Sequence, residues 1–300
     1  MAQERLTKDQ KREIAREMAR AEREKRLKAQ ARNRILIRVG ATVGVVALLA
    51  AIGGGIWLAT RPEGPGPVNM ASDGVLFRGS DGEAKVVSTP ALDADEDPIA
   101  TDPEAYDAPV RIVSYLDFGC PYCALFETTN AAQIEQLVAS GEATLEVHPV
   151  NLLRNQFLGD RYSARSANAA ACVAAYEPTA FLDVSTAFFE QQPAETGNGL
   201  TNGEIVELVK GAGVTEPRVE SCIGGEEFKG WVEAASTRAF TGPLPNTEEE
   251  RVTGTPTILV NGTRYQGALD DPMAFLAFVE SVREGSDAES DPTPSPTPTP

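Results

Sequence analysis

This chain of 300 residues holds one histidine, four cysteines and two tryptophans. The shortage of histidine decides how its cysteines are read. Cys120 and Cys123 form a C-x-x-C pair, which serves either as half of a zinc site or as a dithiol/disulfide couple. Zinc needs four ligands, usually from a second C-x-x-C or from paired histidines. His148 has no companion, and Cys172 and Cys222 each stand alone, so no metal site is expected. Basic residues are also scarce outside one segment. Residues 1–38 hold 13 Lys+Arg against 6 Asp+Glu, whereas residues 39–300 carry a net charge of −24. A body this acidic repels phosphate backbones, which excludes a nucleic-acid partner. Its most acidic stretch, residues 93–107, lacks the D-x-D-x-D-G pattern of a calcium loop and reads as solvated surface.

Residues 1–34 form a basic arm whose apolar residues, Leu6, Ile14, Met18 and Leu27, are too sparse for a core-facing stripe. Residues 35–60 follow as a transmembrane anchor. From Val39 to Thr60 there is no charge, and at about 1.5 Å per residue that run crosses a hydrocarbon core of about 30 Å. The basic arm places the N-terminus in the cytoplasm and the body outside it. A cleaved signal peptide is the competing reading. Against it, the arm exceeds an ordinary n-region and the run exceeds an h-region. The expectation is a single-pass cell-membrane protein whose body lies where disulfides persist. Residues 61–107 read as a linker with a short hairpin around Gly79-Ser80-Asp81-Gly82. Residues 284–300, rich in Pro and Thr, read as a tail that buries no core.

The surroundings of the cysteine pair favour redox chemistry. Val110 to Leu116 is a β-branched strand before the pair, and residues 124–140 have helical spacing after it. Thr144 to Val150 reads as the next strand. Residues 158–242 are mainly helical in pattern and include a capping box, Thr201-x-x-Glu204. A hairpin turned by Asn261-Gly262 and a last helix over 272–283 complete an α/β chain. Cys120 falls where strand gives way to helix, so amide dipoles at the helix start stabilise its thiolate. Cys120 is therefore expected to be the exchanging sulfur and Cys123 the resolving one. Pro121 suits the first helical position, where its missing N–H is not needed.

The run Asp117-Phe118-Gly119-Cys120-Pro121-Tyr122-Cys123, the loop Val252-Thr253-Gly254-Thr255-Pro256-Thr257 and the Asn261-Gly262 turn together resemble the DsbA-like branch of thioredoxin-fold thiol:disulfide oxidoreductases, in its membrane-anchored bacterial form. The likeness covers residues 108–283. It implies a thioredoxin fold with an inserted helical domain near residues 158–242. It also implies a cis Pro256 facing the pair, a Thr255 backbone that pairs with substrate, and Pro121 and Tyr122 at the substrate-facing position. Glu127 matches an acid four positions beyond the second cysteine and would relay the proton of Cys123; an exposed helix glutamate is the alternative. The acid found six residues before the first cysteine in better-known members is replaced here by Ser114, and Asp117 is expected to shape the turn. His148 reads as structural. An even cysteine count outside the cytoplasm favours a structural disulfide between Cys172 and Cys222, with two free thiols as the alternative. No cofactor is implied.

The resemblance further implies oxidation of cysteine pairs in exported proteins, with reoxidation by a quinone-linked membrane partner. The same motif serves reductases and isomerases, for instance in cytochrome c assembly, because direction depends on reduction potential. A non-catalytic envelope-binding protein is a third reading, against which stand the intact Cys120, Cys123 and Pro256.

Overall fold

The computed structural model describes residues 64–153, 161–194 and 197–290, with side chains as far as 285. The basic arm and the expected anchor over 35–60 lie outside the described residues. Among the described residues no helix is long and apolar enough to cross a membrane.

Six strands form one mixed sheet: β1 (Val75–Ser80), β2 (Glu83–Val86), β3 (Val110–Leu116), β4 (Ala143–Pro149), β5 (Thr257–Val260) and β6 (Thr263–Arg264), in the order β2-β1-β4-β3-β5-β6. β3 and β4 run parallel, Ile112 opposite Leu145 and Ser114 opposite Val147. The crossover between them is helix α1 (Pro121–Ala139), as parallel neighbours require. All other pairings are antiparallel. Every residue of β4 is buried, which marks a strand covered on both faces.

Among the described residues, five α-helices lie between β4 and β5: α2 (Tyr162–Tyr176), α3 (Phe181–Glu190), α4 (Asn202–Gly211), α5 (Pro217–Gly225) and α6 (Lys229–Thr241). Thr201 caps α4 with the reciprocal Thr201–Glu204 bonds that the spacing predicts. Cys172 on α2 and Cys222 on α5 are joined in a disulfide, both fully buried, with Cα atoms 5.9 Å apart. The last helix, α7 (Pro272–Ser290), lays Phe275 edge-on against Phe126 of α1, ring centroids 5.2 Å apart. The burial of Phe126 and of Phe275 is worth about 1.5–3 kcal/mol each.

Two boundaries differ from the sequence reading. The hairpin assigned to a linker is an edge of the central sheet, because Val75, Leu76 and Phe77 pair with β4 and are buried. Its strands turn tightly at Asp81-Gly82, both with positive φ. The helix assigned to 272–283 continues to Ser290, since the next proline is Pro292.

The two faces of the sheet carry different cores. One contains Ile112, Leu116, Phe126, Ile134 and both active-site cysteines. The other gathers Tyr115, Val150, Leu259 and Leu244 beneath α6. The fold therefore places the cysteine pair at the C-terminal end of a central strand, on the α1 face. For stability, replacing both Cys172 and Cys222 by Ala is expected to lower the unfolding free energy by about 4 kcal/mol, since the bridge spans 50 residues. Denaturant titration of the double variant against the intact protein checks this.

Candidate active site

Asp117 follows β3 immediately and begins the turn that carries the cysteines. Its carboxylate accepts the Gly119 N–H at 2.8 Å and the Leu153 N–H at 2.9 Å. These bonds brace the turn against the segment after β4, which is the turn-shaping role expected of it. The side chain is wholly buried. Burial raises its pKa, and the Leu153 and Gly119 N–H groups pull the other way.

Cys120 is the N-cap of α1, with φ −86° and ψ 120°. No side chain caps this helix, and its first turn holds no acidic residue. Pro121 has no N–H, so the first free donors are the backbone amides of Tyr122 and Cys123. Both act on the Cys120 sulfur. The Cys120 thiol is lowered to about 6, first by a hydrogen bond from Cys123, then by Thr255 and these two amides, against a desolvation penalty. Cys123 is the opposite case. It is fully buried, and desolvation followed by its bond to Cys120 raises its thiol well above the usual range. The Asp117 N–H reaches its sulfur at 3.5 Å.

The peptide bond between Thr255 and Pro256 is cis. The Cys120 thiol donates to the Thr255 carbonyl at 3.3 Å, which joins the two distant motifs in one site. A carbonyl acceptor favours the thiol form. The pull toward thiolate that Thr255 adds must therefore come from its hydroxyl, which is buried without a partner in this dithiol form. Tyr122 and Leu125 are exposed beside the pair, Tyr122 with 63% of its surface free.

Glu127 lies one helical turn beyond Cys123 on α1, half-buried rather than exposed. The Ser114 hydroxyl donates to it at 3.4 Å. Around its carboxyl is a cavity of about 30 Å³ lined by Ile112, Phe126, Ile134 and Val147, room for roughly one water. Desolvation raises Glu127 to about 7, with Ser114 opposing. His148 lies on the other face of the sheet. It is stacked on Tyr115 with centroids 4.4 Å apart, and its Nε2 is 3.2 Å from Glu146. The larger cavity there, about 250 Å³, is lined by neither active-site cysteine. Cys172 and Cys222 belong to the insertion and are already bonded to each other.

One contact at the site has no counterpart in the sequence reading. Gln192, past the end of α3, bonds through its side chain to the active-site turn. No motif marks it, because it lies in the insertion 72 residues from Cys120.

Residues 105–280 match the thioredoxin family. Among solved structures the chain resembles reduced DsbA of Mycobacterium tuberculosis, at 26% identity and a TM-score of 0.52, over 73% of this chain and 100% of that one. It also resembles the reduced disulfide bond oxidoreductase DsbG of the same organism, at 29% identity and a TM-score of 0.50, over 63% of this chain and 88% of that one. A stretch of 136 residues is 29% identical to the serine/threonine-protein kinase PknE of M. tuberculosis H37Rv. That stretch is 44% of this chain and spans only 24% of the length of that relative. With a dithiol at a helix start, the carbonyl of a cis Thr255-Pro256 bond against the Cys120 sulfur and DsbA-like structures as its counterparts, the chain belongs to the thioredoxin family and carries the site of a DsbA-like thiol:disulfide oxidoreductase.

Proposed function

We propose that the chain oxidises cysteine pairs in exported proteins, from a body held outside the cytoplasm by an anchor over residues 35–60. The single observation that carries the direction is the lowering of the Cys120 thiol to about 6. A stabilised thiolate favours the reduced enzyme, so the disulfide form tends to accept electrons.

The exchange balances as follows. A substrate thiolate attacks Cys120 Sγ in the Cys120–Cys123 disulfide. A mixed disulfide forms and the Cys123 sulfur leaves. Its raised pKa means that it takes up a proton, and this reading assigns the donor role to Glu127, one helical turn further along α1 with its own pKa raised to about 7. The second substrate thiolate then attacks the substrate sulfur and expels Cys120 as a thiolate. The substrate has lost two electrons and the enzyme has become the dithiol. The exposed Tyr122 and Leu125 offer an apolar landing surface beside the sulfur. Turnover requires reoxidation, for which the resemblance implies a quinone-linked membrane partner.

Three outcomes test this reading. The full chain, equilibrated with glutathione, is expected to show a potential well above the ~−270 mV of thioredoxin. The oxidised form is also expected to refold a reduced two-cysteine substrate, with Cys120→Ser inactive. A potential near that of thioredoxin would reverse the direction and favour the reductase. Separately, the full chain should stay with membranes through alkaline carbonate extraction, and release would remove the anchor.

For Glu127→Gln, the Cys123 proton step should slow by about 100-fold or more and lack the inflection near pH 7 expected of the wild type. The sign of its stability effect is fixed by linkage. A carboxyl whose pKa is raised on folding costs nothing below its unfolded value, costs progressively more as pH rises from there to about 7, and a constant amount above. Glu127→Gln should therefore match the wild type at pH 4 and exceed it by about 3 kcal/mol at pH 8, read by denaturant titration.

A further inference from the structure

A polar side chain of the helical insertion, Gln192, reaches the backbone of the active-site turn. Gln192 Nε2 donates to the Phe118 carbonyl at 2.8 Å and to the Cys120 carbonyl at 3.1 Å. Beside it, Phe118 packs against Phe188 and Phe189 of α3, with ring centroids 4.7 and 5.1 Å away. We propose that Gln192 is a positioning residue through which the helical insertion sets the reactivity of Cys120. The inference rests on Cys120 being the exchanging sulfur.

The two carbonyls bracket that residue. The Phe118 peptide fixes how the chain enters the turn. The direction of the Cys120 carbonyl fixes the residue's own ψ, observed at 120°. That angle decides whether the Tyr122 and Cys123 N–H groups face the sulfur. The Cys120 carbonyl already accepts the Ala124 N–H of the helix at 3.1 Å. A carbonyl has two lone pairs, and Gln192 takes the second, so the peptide plane is held from the helix and from the insertion at once. An amide side chain adds no net charge. Its effect on the sulfur must therefore come through geometry, by keeping the donors aimed. The titratable groups around the turn are Cys123, Asp117 and, further along α1, Glu127; all three are untouched by substitution at 192.

Gln192→Met keeps the length of the side chain and removes both donors. Gln192→Glu keeps its shape and turns carboxylate oxygens toward the two carbonyls. The readout is thiolate absorbance near 240 nm of the reduced full chain against pH, with the glutathione equilibrium as a second measurement. The wild-type midpoint is expected near 6. In Gln192→Met it should rise by about one unit, which moves the equilibrium at pH 7 about fivefold toward the disulfide. Gln192→Glu should move both further in the same direction, and Gln191→Ala, next door on an exposed side chain, should move neither. An unchanged midpoint in Gln192→Met with only a lower thermal midpoint overturns the proposal in favour of simple packing. If that variant does not fold, Gln192→Glu decides, and loss of folding in both overturns it likewise. A wild type whose Cys120 titrates at the ordinary value near 8.5 would instead sink the functional reading itself, so the two failures are told apart.

Discussion

Everything at this site depends on one sulfur standing where a capping side chain would stand. The start of α1 exposes N–H groups that most helices satisfy with Ser, Thr, Asp or Asn. Here the N-cap is Cys120, no side chain caps the helix, and no acid in the first turn competes for the positive end of the dipole. The thiolate is thus the missing cap. Ionisation of Cys120 satisfies the helix, and satisfaction of the helix favours ionisation. Proline at the next position preserves the arrangement, since it brings the helical φ without adding a further donor.

The same helix makes the second sulfur its opposite. Cys123 is one turn further in and wholly buried, where charge is costly. Two chemically identical groups three residues apart therefore acquire thiol pKa values on opposite sides of the ordinary range. In exchange, the sulfur with the lower pKa is the better leaving group and the one with the higher pKa must be protonated. The asymmetry comes from depth along one helix. That depth is imposed by the sheet, which covers α1 from below, and by α7, whose Phe275 packs against Phe126.

The local half of this arrangement was legible in the sequence. Strand, C-x-x-C and helix are contiguous, and the physics that selects Cys120 acts within one turn of chain. The capping box at Thr201 and the Asn261-Gly262 turn are legible for the same reason. At Asn261-Gly262 both residues have positive φ, and the Asn261 side chain accepts the Arg111 N–H at 2.7 Å, binding the hairpin to β3. What escaped the sequence is non-local. The β1–β2 hairpin joins the sheet only because β4 offers an unpaired edge to Val75–Phe77. The burial of Asp117 depends on Leu153 approaching from the far side of β4. Gln192 carries no pattern at all, since a lone glutamine past a helix end is usually solvent-facing.

The position of the acid shows how such non-local choices trade against each other. A carboxyl on β3 at residue 114 would point into the space between sheet and α1. This chain has Ser114 there and supplies the carboxyl from α1, as Glu127, across the same gap. The hydroxyl is smaller than a carboxylate, and the pair leaves a water-sized space among Ile112, Ile134 and Val147. A carboxyl in such surroundings cannot be strongly hydrated, which lifts it to about 7. That value is costly for folding at neutral pH and useful for moving a proton there. A fully packed apolar contact at 127 would be more stable, and in the proposed exchange it would remove the proton donor assigned to the Cys123 sulfur. On that proposal the retained carboxyl ties a local loss of stability to the one step that the burial of Cys123 makes difficult.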